Sequence, residues 1–203
     1  MLAGLALCVM AAIASAADDT ATDQLLARLD RLSHMQGDFE QRQYGENDAV
    51  LATSNGVFSL LRPFYFSWEI RSPDNQLIVA NAEYLWHYDI DLQTATRRPV
   101  VGNIEASPLQ VLGGDETALR EQYVVQQVDA NTFSLVPRDT EHSFRRLVVS
   151  FADNTISGMD IIDKLGQRVV VEFSQVDTST PLSAADFEFT PPPGDVDLFY
   201  YDE

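Results

Sequence analysis

The sequence predicts a mainly β, α+β domain, one large antiparallel sheet led in by a helix and curled on itself. Three observations carry this. The apolar period changes from about 3.6 to two near Phe39. Short turn signals then link about ten strand-like runs, and links that short make hairpins rather than parallel crossovers. Several of those runs put large apolar residues on one face and polar ones on the other, as an antiparallel sheet with one covered face requires.

The elements follow in chain order. Thr20 to Met35 reads as an amphipathic helix, with Leu25, Leu26, Leu29 and Leu32 on one stripe and Asp23, Arg28, Asp30 and Arg31 on the rest. Strands are expected over Val57–Leu61, Phe64–Ile70, Gln76–Ala80, Tyr84–Tyr88, Gln93–Arg98, Tyr123–Val128, Thr132–Val136, Phe144–Phe151, Ile156–Asp163 and Arg168–Val176. Arg62-Pro63, Ser72-Pro73-Asp74-Asn75, Asp129-Ala130-Asn131, Ala152-Asp153-Asn154 and Lys164-Leu165-Gly166 separate them. Pro108 at a first turn and Gly113-Gly114 after a last one mark a short helix between strands. Repeats and low-complexity linkers are absent from the sequence, so a single domain over residues 17–203 is expected.

Residues 1–16 read as a secretory signal peptide. They carry no charge, and Ala14-Ser15-Ala16 gives the small-x-small pattern of a cleavage site ahead of Ala17-Asp18-Asp19. The usual basic residue near Met1 is missing, as a start codon assigned too late would explain. The single cysteine, Cys8, lies in this leader; its removal leaves a mature chain with no disulfide and no thiolate chemistry.

Composition excludes some functions. With 13 Lys+Arg against 31 Asp+Glu among 203 residues, the formal charge is −18. Nucleic-acid binding and polybasic adsorption to anionic lipid both need the opposite sign. His34, His87 and His142 are scattered, with no metal-binding pair. The Gly-x-Ser-x-Gly elbow and the phosphate-binding glycine loops are missing as well. Asp89-Ile90-Asp91 lacks the glycine and distal glutamate of a calcium loop. The residues therefore point to a binder with no cofactor, no metal and no catalytic group.

The strand faces are the informative part. Phe64, Phe66, Trp68 and Ile70 share one face; Tyr84, Trp86 and Tyr88 share another, as do Leu147, Val149 and Phe151, and Val169, Val171 and Phe173. A sheet this wide with few helices to cover it tends to curl. Periodicity leaves two outcomes open: a barrel filled by its own side chains, or a partly open one with an apolar hollow under a helical lid.

Four short motifs carry a resemblance across nearly the whole mature chain. Arg62-Pro63-Phe64-Tyr65-Phe66-Ser67-Trp68, Pro73-Asp74, Leu85-Trp86-His87-Tyr88-Asp89 and Phe187-Glu188-Phe189-Thr190-Pro191-Pro192, in that order after a leading helix, are similar to the periplasmic outer-membrane lipoprotein carrier family LolA. The resemblance implies an unclosed antiparallel β-barrel of about ten to eleven strands with short helices as a lid over a hydrophobic cavity. It implies a monomeric periplasmic chaperone that accepts lipoproteins from the inner-membrane transporter LolCDE. Their acyl chains are shielded and then passed to the outer-membrane receptor LolB, without a cofactor or a membrane anchor. By the same resemblance Arg62 is the lid latch, its guanidinium bonding helix carbonyls. Phe66 is a cavity residue that influences hand-over. The cavity face is expected to comprise Phe64, Phe66, Trp68, Ile70, Trp86, Leu147, Val149, Val171 and Phe173. Leu25, Leu29, Leu32, Leu109 and Leu112 are expected on the lid. The aromatic, acidic tail Asp195–Glu203 departs from the family pattern and leaves an extra C-terminal strand undecided. Rival functions are a LolB-like lipoprotein receptor of the same fold, a sensor of mislocalised lipoproteins and, in a different class, an exported lipid hydrolase.

Overall fold

The computed structural model describes residues 20–100, 108–113, 116–139, 144–194 and 196–201. The leader, with Cys8 and the expected cleavage point, lies outside the described residues. The first helix, α1, covers residues 20–29. It is shorter than the sequence suggests. Asp30 and Arg31 form a turn, and β1 already runs over His34–Tyr44. Met35 faces Leu60 and Phe39 faces Gly56 across a ladder with β2 (Val50–Leu61), while β11 (Arg168–Asp177) pairs on the other side. Two hydrogen-bonded neighbours outweigh a weak helical preference at Met35. Leu32 thus sits in the connection rather than on a helix, though it remains buried.

The remaining strands are β3 (Tyr65–Ser72), β4 (Gln76–Ala80), β5 (Tyr84–Asp89), β6 (Thr94–Pro99), β7 (Tyr123–Asp129), β8 (Thr132–Pro137), β9 (Phe144–Ala152), β10 (Thr155–Asp163) and β12 (Asp197–Tyr200). All twelve form one sheet in the order β12-β6-β5-β4-β3-β2-β1-β11-β10-β9-β8-β7. Neighbours are antiparallel except β12, which lies parallel to β6. The two ends do not pair among the described residues, so the sheet is unclosed. The count exceeds the expected ten to eleven because β1 replaces the end of the expected helix and the C-terminal tail supplies β12. The single short helix expected after Ser107 is two, α2 (Pro108–Gly113) and α3 (Glu116–Gln122).

Register fixes which side chains share a face. Phe58 faces Trp68, Phe39 faces Phe173, Val171 faces Met159, and Met159 faces Val149. These residues form one buried cluster with Leu25 and Leu29 of α1, Val111 and Leu112 of α2, and Leu119 of α3. The three helices therefore cover one face, here called the inner face, and the main core lies between.

The outer face of β3 to β6 carries a second, smaller core. Ser67 faces Val79, Val79 faces Trp86, and Trp86 faces Arg97, so Trp86 and Trp68 point to opposite sides of the sheet. Trp86, Tyr88 and Ala95 cluster there with Phe189 and Val196. The Phe187-Glu188-Phe189 motif explains itself in this way. Phe187 packs on Tyr65 and Phe189 on Trp86, with ring centroids 5.7 and 5.3 Å apart, so the chain's own C-terminal segment covers the outer face. Arg97 lies 4.3 Å from the Tyr84 ring and 4.5 Å from Tyr200, which ties β12 to the sheet.

Candidate functional site: an apolar floor under a helical lid

The floor of the inner face is aromatic. Phe39 and Trp68 stack with centroids 3.7 Å apart, Phe173 meets Trp68 edge-on at 6.1 Å, and Phe58 lies 4.7 Å from Phe173. Gly56 makes this possible. It lies opposite Phe39 in β1 and Ile70 in β3, where a Cβ would fall 1.8 Å from the Glu69 carbonyl oxygen, so no side chain blocks the ring reaching across β2. Phe66, Leu60 and Met35 continue the floor toward the β2–β3 turn.

Phe66, Trp68, Leu147, Val149, Val171 and Phe173 all lie in this inner cluster, and Ile70 packs against it half-buried. Two expected cavity residues do not. Phe64 belongs to the turn before β3 and is 47% exposed, because the strand starts one residue later than its aromatic alternation suggests. Trp86 points to the outer face and is roofed by Phe189, as described above. Alternation groups Tyr84, Trp86 and Tyr88 correctly but cannot say which side of the sheet they take. His87 falls on the inner side in register with Ile78 and Trp68, beyond the lid, where it is exposed and meets the Gln76 carboxamide at 3.2 Å.

Over the floor lie Leu25 and Leu29 from α1 and Leu112 from α2, each at most 1% exposed, and Leu32, in the connection to β1, is buried as well. Leu109 is in α2, but its side chain lies outside the described residues. The free space between Met35, Phe58, Phe66, Trp68, Leu112 and Phe173 is ≈10 Å³. That is about the space of one water, so among the described residues the lid side chains seat closely on this part of the floor.

Polar contacts hold the lid at its margins. Arg62, at the β2–β3 turn, donates from Nη1 to the Asp30 carboxylate at 3.1 Å, and its backbone N–H donates to the Ser33 carbonyl at 2.9 Å. The side chain of Arg62 is 14% exposed against 70% for Asp30, so this ion pair is half-screened. Asp30 directly follows α1, so this pair ties the β2–β3 turn to the end of the helix. Asp23 of α1 accepts a 2.6 Å bond from Arg120 of α3. Arg28 reaches from α1 to the β7–β8 turn, donating to the Ala130 carbonyl and the Asn131 side chain at 2.8 Å each. Gly113 closes the far end of α2, where a Cβ would stand 2.9 Å from the Pro63 carbonyl oxygen. The lid is thus seated by leucines and pinned by three arginines.

Sequence reasoning missed part of this. Phe58 and Leu60 alternate on one face of their strand, and Met35, Gly37 and Phe39 on theirs, so the additional floor residues were discoverable. The Arg28 tie spans 102 residues of chain to Ala130 and has no local signature. Among the described residues no group of acidic, histidine or cysteine side chains is placed to hold a metal. No described helix is long and apolar enough to cross a membrane.

Residues 30–190 match the family model of the outer membrane lipoprotein carrier protein LolA. The chain belongs to the LolA family. An outer-membrane lipoprotein carrier protein of Coxiella burnetii is 34% identical over 197 residues, covering 95% of this chain and 93% of that one. The Pseudomonas aeruginosa carrier of the same name is 30% identical over 192 residues, covering 93% and 92%. Solved structures share the fold at far lower identity. A LolA superfamily protein of Nitrosomonas europaea superposes with a TM-score of 0.51 at 11% identity, covering 83% of this chain and 97% of that one. A conserved protein of Thermus thermophilus reaches 0.54 at 16%, covering 89% and 99%. The relatives of this LolA-family chain are named as lipoprotein carriers, and its unclosed, mainly β architecture is the fold shared with these solved structures.

Proposed function

We propose that this LolA-family chain is exported to the periplasm by cleavage near Ala16/Ala17 and acts there as a non-enzymatic, monomeric carrier. It accepts lipoproteins from the inner-membrane LolCDE transporter, shelters their acyl chains between lid and floor, and passes them to the LolB receptor. The observation that carries this reading is the seam between helices and sheet. It is apolar among the described residues, covered by three short helices and fastened at the margins by arginine side chains.

The energetics suit the task. Burying one methylene is worth ~0.8 kcal/mol, so an acyl chain gains on the order of 10 kcal/mol in any apolar site over water. Lid leucines such as Leu25, Leu29 and Leu112 gain ~1.5–3 kcal/mol each from the same floor, so cargo and lid compete for one surface with comparable strength. A carrier needs that balance: an empty lid closes over the aromatic floor, and an acyl chain displaces it without ATP. Arg62 sits where a latch would act, at the junction of α1, β1 and the β2–β3 turn. The acidic surface favours docking on basic protein patches, a preference that salt weakens.

The test is incubation of the purified mature protein with spheroplasts. Soluble complexes of the protein with acylated lipoproteins are expected in the medium. Lipoproteins that all stay with the membrane fraction would refute the carrier reading.

A further inference from the structure

An open groove beside the lid lies on the polar side of α1. A groove of ≈320 Å³ separates that helix from β7 and from the β7–β8 and β9–β10 turns, lined by Gln24, Arg28, Arg31, Gln127, Asp153 and Asn154. Its floor is Phe133, which is 1% exposed and also belongs to the inner core. One ring therefore separates the apolar seam under α1 from a solvent-open channel beside it.

The groove has its own chemistry. In a chain with a formal charge of −18 it gathers two guanidinium groups, Arg28 of α1 and Arg31 of the turn that follows. Arg28 is held in place by three bonds from Nη1 and Nη2, to the Ala130 carbonyl, the Asn131 side chain and the Asp153 carbonyl, and by the Phe151 ring 5.4 Å away. A guanidinium has five N–H donors, so Arg28 keeps two for another acceptor. The Arg31 guanidinium makes no hydrogen bond or ion pair among the described residues, and its backbone N–H donates to the Arg28 carbonyl. Gln24, Gln127 and Asn154 add amide donors and acceptors of the kind a main chain needs, and the Asp153 carboxylate limits the net positive charge. Beside them β7 is the end strand of the sheet, paired only with β8 among the described residues.

We infer that this groove holds the polypeptide of the cargo, the extended polar stretch that follows its lipidated residue, while the acyl chains lie under α1. The peptide runs between α1 and the free edge of β7. Its carbonyl and carboxylate oxygens face Arg28 and Arg31, and its main chain meets the amides and the strand edge. Such a site makes the carrier bind the protein part of its load as well as the lipid, and keeps that part clear of the latch. The inference rests on the carrier reading above, and the test separates the two.

Photo-activatable residues are introduced singly at Gln127 in the groove and at Arg71 on the opposite rim, and the protein is loaded with an intact triacylated lipoprotein. Crosslinks from position 127 to the first cargo residues, and none from position 71, are expected. In parallel, Arg31→Glu is expected to weaken lipoprotein binding about fivefold, while binding of a fluorescent fatty acid is unchanged. A stable complex with no crosslink at 127, or an Arg31→Glu variant with wild-type lipoprotein affinity, overturns the groove assignment and leaves carriage intact. Equal loss of lipoprotein and fatty-acid binding overturns it too, as general damage to the lid. If neither ligand binds the wild type, the carrier reading fails and the groove assignment falls with it.

Discussion

Leu112 gives the sharpest test of whether the helices are a movable lid or ordinary core. It is 1% exposed in α2, over Leu60, Phe66 and Trp68 of the floor. Truncation to alanine removes apolar contact worth ~2 kcal/mol from the closed seat. If α2 competes with acyl chains, that energy no longer opposes entry. The affinity for a fluorescent fatty acid should then rise by up to about 30-fold, since each 1.4 kcal/mol is a factor of about ten. A control of equal burial sits on the other face. Phe187, also 1% exposed, packs on Tyr65 outside the lid, and Phe187→Ala should cost ~3–5 kcal/mol of stability with no gain in affinity. Fluorescence titration gives the affinities and thermal unfolding the stabilities. The reasoning is refuted if Leu112→Ala loses stability as the control does and binds the fatty acid no more tightly than the parent.

Arg62→Leu removes, with the residue's other contacts, a half-screened pair worth ~1 kcal/mol, so amide exchange in α1 should speed up by about fivefold or more while hand-over of cargo to the receptor slows; a variant normal in both has no latch at Arg62. Gly113→Ala places a Cβ 2.9 Å from a backbone oxygen that cannot swing away, so α2 should seat less well and fatty-acid affinity should rise in the same titration; an unchanged affinity would separate this contact from closure. With Trp68 on the floor and Trp86 on the outer face, a fatty acid should shift the emission of a Trp86→Phe protein and leave that of a Trp68→Phe protein unchanged; the reverse would mean that the outer face is the binding face. Burial pushes the Tyr123 phenol up to about 12. Because the unfolded group ionises near ~10, the folded state holds its proton longer, and this contribution to stability is full below ~10 and lost as pH rises through about 12. Absorbance titration should therefore show Tyr123 ionising last, a feature absent from Tyr123→Phe.

Much of the architecture was legible in the residues, because local patterns carry it. Alternation in Phe66-Ser67-Trp68 and Leu147-Val148-Val149 marks strands with one covered face, and short Pro, Asn and Gly turns force hairpins. The leucine spacing of α1 marks a helix with one apolar side. The boundary near Met35 was not legible, since apolar spacing there suits helix and strand alike and only the two neighbouring ladders decide. The same limit misassigned Trp86. Period two groups Tyr84, Trp86 and Tyr88 together, yet the side they face depends on register with β4 and on a cover, Phe189, that arrives a hundred residues later.

The sequence by itself therefore determined the chain's class: a curled antiparallel sheet, apolar and aromatic on one side, led in by an amphipathic helix. Tertiary structure decided the rest. It set Phe39 across Gly56 onto Trp68, laid the leucines of α1 and α2 in the hollow that the sheet encloses, and brought Arg28 to a turn 102 residues away. The physical reason is range. Propensity and periodicity act over a few residues, whereas the lid's seat, its pins and the groove beside it arise from groups far apart in the chain that the sheet topology brings together.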